Sequence, residues 1–315
     1  MNDMKLLIDC GGSSVKIEQY VQGVRSATHP FNPTSLDEFY KCIEYMAKGN
    51  DPAAKPCVVG IAISLCGDYD CGDYDYINEE VIRCCAYPFL IGRLQDNLRE
   101  RFKCSKVHIV NDGDAHVLAL RSVYAQKGLC ADGAVNLALG TGAAFGALDS
   151  RSNLFHNWQG HNWEVGCWQC DTRADHKELY WVLGSEGLKI LEKTQGDHAY
   201  ISFGHRLAHF LGRDLVRIFH PRIIGLSGGI VAAHFPDIEE GIRRECEERG
   251  YCVQGGPLNG VDIYLSPEKD SVMQGLADLL DHDKTGLRSA VGRAADSVKS
   301  AGKQFGELLR KLFFK

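Results

Sequence analysis

Apolar positions in this chain follow two rhythms, and the switches between them mark the elements. Leu6-Leu7-Ile8-Asp9 is a short apolar run, Cys10-Gly11-Gly12-Ser13-Ser14 is a glycine turn, and Val15-Lys16-Ile17-Glu18-Gln19-Tyr20-Val21 alternates. That order predicts a β-hairpin. Leu36, Phe39, Tyr40, Ile43 and Met46 then recur at helical spacing behind Thr34, a candidate N-cap with Asp37 three residues on, and the helix should end near Gly49. Residues 57–64 are almost unbrokenly apolar, as expected of a strand covered on both faces. Ile91, Leu94, Leu98 and Phe102 mark a second amphipathic helix. Next, Val107-His108-Ile109-Val110 breaks at Asn111-Asp112-Gly113-Asp114 into His116-Val117-Leu118-Ala119-Leu120, so a buried strand hands over to a helix.

The plan of the first hairpin returns in Val135-Asn136-Leu137-Ala138-Leu139, Gly140-Thr141-Gly142 and Ala143-Ala144-Phe145-Gly146-Ala147-Leu148. Either hairpin alone passes for an ordinary glycine-turned pair of strands. Together they read as the matching first turns of two related α/β lobes. A dinucleotide fingerprint is the rival, but Gly140, Gly142 and Gly146 have the wrong last spacing and a strand follows where a helix is needed. Helices are expected at 178–193 and 203–219; His205, His209 and His220 in the latter read as surface or packing residues. Ile223-Ile224-Gly225-Leu226 runs into Ser227-Gly228-Gly229-Ile230, a third strand-to-glycine turn and by itself a weak nucleotide signal. From 284 to 315, Leu287, Val291, Val298, Phe305, Leu308 and Leu312 keep helical spacing while the other faces are rich in lysine and arginine. This predicts a basic amphipathic helix that could dock on the body, join a partner such as a second copy, or lie on an anionic membrane surface.

With 315 residues the chain can form one large or two moderate domains. A net charge of −6 gives no general reason to bind nucleic acid, so a small-molecule substrate fits better. The N-terminal apolar run is too short for a signal peptide or a membrane span, which leads to the expectation of a cytoplasmic protein. Thirteen scattered cysteines, an odd number, read as free, mostly buried thiols. Cys167 and Cys170 are the one pair with ligand spacing, flanked by His161 and His176; a zinc site there lacks a second close cysteine pair.

Two readings of Asp112 stand side by side: a helix cap, or a carboxylate facing a crevice at the end of a strand. The acid-bearing loop 66–75 is either solvated or the rim of a polar site, and the run 156–168 either packs its tryptophans or offers aromatic faces to a sugar-like ligand.

Three glycine turns and an Asn-Asp junction in this order are more specific than any one of them. The set resembles the sugar-kinase/Hsp70/actin superfamily and, within it, the ROK (repressor, open reading frame, kinase) sugar kinases, over roughly residues 5 to 282. The resemblance implies an α/β fold of two ribonuclease-H-like (actin-like ATPase) lobes around a nucleotide cleft: 1–112 with 268–283, and 113–267, followed by the 284–315 tail. It implies ATP and Mg2+ as cofactors and phosphorylation of a hydroxyl of a hexose or N-acetylhexosamine. Asp112 would be the general base and Asn111 would hold the hydroxyl. Asp9 would orient Mg2+ through water, and Gly11, Gly12, Ser13, Gly140, Thr141 and Gly142 would hold the phosphates, with Gly228 and Gly229 at the adenosine. Glu164 and Glu178 would contact the sugar, but Cys167 stands where the family places a histidine, which leaves the sugar open. The family's zinc motif is reduced to Cys167, Cys170 and His176. Many family members are repressors with a DNA-binding domain ahead of the first strand; this chain starts at that strand, so a repressor role is not expected. The alternative reading is a catalytically weak sugar- or nucleotide-sensing module localised by its tail.

Overall fold

The computed structural model describes residues 4–12, 14–48, 58–65, 74–84, 86–157, 161–163, 165–168, 178–249, 262–265 and 271–281. Ser13, loop residues 66–73, Glu164, Cys170, His176, the tail 284–315 and the side chain of Cys167 lie outside the described residues.

Two sheets carry the chain. The first is built from β1 (Met4–Cys10), β2 (Val15–Val21), β3 (Val58–Leu65) and β4 (Lys106–Asn111), in the order β2-β1-β3-β4, with Val24–Arg25 and His29–Phe31 along the outer side of β2. The second is built from β5 (Ala134–Leu139), β6 (Ala143–Ala147), β7 (Ile223–Ser227) and β8 (Asp262–Leu265), in the order β6-β5-β7-β8. In each set of four the opening hairpin is antiparallel and the remaining pairs are parallel, while the two short segments outside β2 add antiparallel pairs to the first sheet alone. The repeat read from the two hairpins therefore extends to the whole strand order.

The helices are α1 (Leu36–Lys48), α2 (Leu94–Phe102), α3 (Asp112–Gln126), α4 (Leu179–Leu183), α5 (Ser185–Gln195), α6 (Ala199–Phe210), α7 (Val216–Phe219), α8 (Gly229–Arg249) and α9 (Ser271–Asp281). Phe39, Ile43, Leu94 and Leu98 of α1 and α2 close one core against the first sheet, and α4 to α8 close another against the second. Between the sheets, α3 and α9 share a third core with Leu7, Ala62, Val110, Ala134 and Ile223. The order is thus helices, sheet, helix pair, sheet, helices, which explains why β1, β3 and β5 are apolar nearly throughout.

Small residues let α3 sit this close to both neighbours. A Cβ on Gly113 would stand 2.1 Å from the Phe145 carbonyl oxygen of β6, and one on Gly146 would stand 2.1 Å from the Gly113 carbonyl oxygen. On the other side Arg121 donates to Asp278 of α9 and, at 3.0 Å, to the Ser152 carbonyl.

Three local expectations are corrected. Ser35, not Thr34, caps α1: its hydroxyl accepts from the Glu38 N–H at 3.3 Å, and Thr34 donates from N–H and hydroxyl to the Glu38 carboxylate at 2.7 and 2.8 Å. The box is shifted by one residue because Glu38, unlike Asp37, reaches back to Thr34. The helix expected at 178–193 is two, α4 and α5, broken at Gly184, whose extended backbone turns the corner. The helix expected at 203–219 begins at Ala199 and passes through a π turn at Leu211–Leu215 before α7. Cys10, Cys84, Cys104 and Cys246 are buried, as expected of most of the scattered cysteines.

Candidate functional site

The carboxyl ends of the central strands gather the candidate residues. In the first sheet Asp9 pairs with Ser64, and Cys10, Leu65 and Asn111 form one row across β1, β3 and β4. Asp9 and Asn111 therefore leave the sheet at the edge where open α/β sheets bind ligands. Asp9 is only 8% exposed, and its Oδ2 lies 3.2 Å from Lys16 Nζ on the other arm of the hairpin. The Tyr87 hydroxyl donates to the Gly11 carbonyl at 3.0 Å and holds the turn.

In the second sheet Ser227 pairs with Ala138, so the Ser227-Gly228-Gly229 turn lies against the end of β5, next to Gly140-Thr141-Gly142. Gly228 has φ +91°, and a Cβ there would stand 2.3 Å from the Leu139 carbonyl oxygen; no other residue fits this approach. Thr141 is exposed, and at Gly12, Gly140 and Gly229 an added Cβ would meet nothing within 4 Å. These turns thus border open space beside their backbones, room that a polyphosphate cradle would need.

Asn111 and Asp112 stand where β4 of the first sheet passes into α3, whose first turn packs on β6 of the second. Asn111 is the N-cap of α3: its Oδ1 accepts from the Gly113 N–H at 2.8 Å, a proton that Asp112 Oδ1 shares at 2.8 Å. Asn162 Nδ2 donates to the same Asn111 oxygen at 2.6 Å and to the Phe145 carbonyl at 3.0 Å. Capping falls first to Asn111, and Asp112 stays partly exposed in the first turn.

One helical turn further along the same face is His116, partly buried. Asn136 Nδ2 donates to Ser227 Oγ at 2.8 Å, and His116 Nδ1 lies 3.1 Å from Ser227 Oγ and 2.6 Å from Ser271 Oγ, two hydroxyls that can each give or take a hydrogen bond. Burial, and after it the positive charge of Lys16, push its pKa down to about 4. Lys16 thereby links the Asp9 turn electrostatically to the face of α3 that carries Asp112.

Asp114, two residues after Asp112, is fully buried and does not cap α3. Its Oδ2 accepts from the Tyr76 hydroxyl at 2.5 Å and lies 2.9 Å from His156 Nε2. The Tyr76 and His156 rings stack with centroids 3.8 Å apart, and the Asn111 N–H donates to the Tyr76 oxygen at 3.1 Å. Burial and the Asp114 charge hold the Tyr76 phenol well above its ordinary pKa.

The remaining candidates are not gathered here by any described contact. Glu178 is partly buried just before α4, its carbonyl accepting from the Trp181 N–H. Trp163 and Trp168 pack against Phe219, and Trp163 also against Phe155, which answers the question left open at 156–168 in favour of packing for these two rings. His205 and His209, expected as surface or packing residues, lie 3.1 and 4.0 Å from the nearly buried Glu245 carboxylate of α8.

Two sheets of one repeated topology, with glycine turns and an Asn-Asp junction at their carboxyl edges, define an architecture shared with the ROK-family sugar kinases. The chain matches a ROK family protein from Streptococcus pneumoniae, solved with sucrose, at TM-score 0.67 and 18% identity, covering 89% of this chain and 99% of that one. It matches the ROK hexokinase of Thermus thermophilus at 0.65 and 15% identity, over 90% and 100% of the two chains. The ROK family glucokinase of Streptomyces griseus, solved with glucose and AMPPNP, matches at 0.64 and 16%, over 88% and 98%. No protein-family model and no curated protein matches the sequence, so the likeness is one of fold.

Proposed function

We propose that this protein is an ATP- and Mg2+-dependent kinase acting on a hydroxyl of a hexose or N-acetylhexosamine. What supports this reading is that Asp9 and Asn111-Asp112 stand at the carboxyl ends of the first sheet's strands and the 140–142 and 227–229 turns at those of the second, while His116 of α3 contacts Ser227 and feels the charge of Lys16. In this reading the two sheets are the cores of two ribonuclease-H-like lobes, 1–112 with 268–283 and 113–267, around the nucleotide cleft. The position of α9 against β1 and β3 supports placing 268–283 with the first lobe.

The residues fit a magnesium nucleotide. Asp9 offers the hard carboxylate oxygens that Mg2+ takes, with Lys16 beside it, and Gly12, Gly140 and Gly229 leave their backbones bare toward open space. The bound nucleotide supplies the phosphoryl group. The protein's own part is positioning and charge. Asp112 accepts the proton of the sugar hydroxyl as the oxygen forms its bond to phosphorus, and Asn111, clamped by Gly113 and Asn162, orients that hydroxyl. The backbone of Gly11, Gly12, Ser13, Gly140, Thr141 and Gly142 holds the phosphates, Gly228 and Gly229 admit the adenosine, and Glu164, Cys167 and Glu178 complete the sugar pocket.

A coupled kinase screen over hexoses, N-acetylhexosamines and fructose tests the proposal. One sugar should be turned over, and Asp112→Asn should abolish turnover while leaving the fold intact. Retained turnover in that variant would rule out Asp112 as the base. Nucleotide binding without turnover of any sugar would favour the sensing module.

A further inference from the structure

We propose that Asp114, His156 and Tyr76 form a buried positioning unit that fixes the Asn111-Asp112 junction for catalysis, an inference that rests on the phosphoryl transfer proposed above. The three residues come from three separate segments. Tyr76 follows the short Tyr74–Asp75 strand, Asp114 lies in the first turn of α3, and His156 lies in the chain after β6. They meet at one carboxylate oxygen, Asp114 Oδ2.

The direction of each proton gives the unit its effect. Asp114 has 0% exposure, so it draws its stabilisation from protein donors rather than water. Tyr76 commits its hydroxyl proton to Asp114, which turns its oxygen lone pairs outward, and one of them receives the N–H of Asn111, the last residue of β4. His156 reinforces the same geometry twice, through Asp114 and by stacking on the Tyr76 ring. Asn111 is thus held at its N–H by Tyr76 and at its side chain by Gly113 and Asn162.

A purely structural role does not account for this choice of residues. Replacing buried charged and polar groups by apolar ones of similar volume is often neutral or stabilising, so such a unit is a poor means of filling space. Asp114 Oδ1 and His156 Nδ1 also have no hydrogen-bond partner among the described residues, a cost that a unit serving stability alone would avoid. The unit stands two residues from the proposed base, where a small displacement has the largest effect on rate.

The test uses Tyr76→Phe, which keeps the ring stack and removes the hydroxyl, and Asp114→Asn, assayed in the full chain on the sugar found by the screen. Each should lower kcat by on the order of 10- to 100-fold with KM for ATP within about twofold, and the double variant should be no worse than the poorer single one. Unchanged kcat in Tyr76→Phe would overturn the proposal, as would losses that add in the double variant and raise KM for ATP in step. Nitrogen NMR of His156 separates this outcome from failure of the kinase reading. If the parent protein turns over no sugar, the kinase reading fails, while an Nε2-protonated imidazole that loses its hydrogen-bonded signal in Asp114→Asn still supports the unit. Absence of that signal in the parent protein overturns it.

Discussion

Acid should weaken this fold in part through His116. Its pKa falls from the ordinary 6.5 to about 4 in the folded state, because burial disfavours the charged imidazole and Lys16 repels a second positive charge. At about 1.4 kcal/mol per pH unit, the difference corresponds to roughly 3 kcal/mol in favour of the neutral ring. Between these two values the unfolded chain binds a proton that the folded chain refuses, so stability rises with pH. The contribution is complete above pH 6.5, is lost as pH falls toward 4, and changes no further once both states are protonated. Urea unfolding of the parent protein and of His116→Gln, followed by tryptophan fluorescence at several pH values from 7 to 4, isolates the term, since the carboxylates titrate alike in both. The parent should lose roughly 3 kcal/mol more than the variant across that range. Lys16→Met should shrink the difference by raising the histidine's pKa. Parallel pH curves for parent and His116→Gln would refute the reasoning.

Other consequences can be measured on the purified protein. Gly113→Ala places a methyl group 2.1 Å from the Phe145 carbonyl oxygen and should cost about 3 kcal/mol, read as a lower melting temperature; an unchanged melt would contradict the helix-strand contact. Arg121→Met leaves the Asp278 carboxylate, 4% exposed as a residue, without its guanidinium and should cost about 3 kcal/mol, whereas Arg121→Met with Asp278→Leu should recover part of it. Asp112→Asn should reduce turnover of the preferred sugar by at least 100-fold, on the order expected for loss of a general base, with its unfolding midpoint unchanged.

Much of the frame is legible in the chain because it depends on local rhythm. The apolar runs of β1, β3, β4 and β5 and the turns that end them follow from alternation, β-branched residues and glycine alone, and the matched hairpins announce the repeated sheet order. Apart from the local corrections to caps and helix breaks, what escaped the sequence has a common cause, contact between distant segments. Gly113 and Gly146 are 33 positions apart and close only when α3 is laid on β6, so the spacing argument about Gly146 had nothing to say about its packing role. Tyr76 and His156 carry no local signal of their own. Asp114 does: Val117 and Leu118, three and four residues on, are apolar neighbours on its face of the helix, and an acid among them is a buried acid in need of partners. At the caps, one residue decided the outcome, since Glu38 could reach Thr34 and Asp37 turned instead to Lys41.

The bare contact between Gly113 and Gly146 also bears on how force travels through the molecule. Side chains normally act as compliant spacers between a helix and the sheet beneath it, shifting rotamer when either moves. Here peptide groups touch peptide groups, so the first turn of α3 has no such cushion against β6. A displacement of the second sheet, from whatever event at the 140–142 or 227–229 turns, would reach Asp112 undamped. Asn111, one residue earlier, ends a strand of the other sheet. The bond between these two residues is therefore the point at which relative movement of the sheets would be converted into a change of angle at the candidate base.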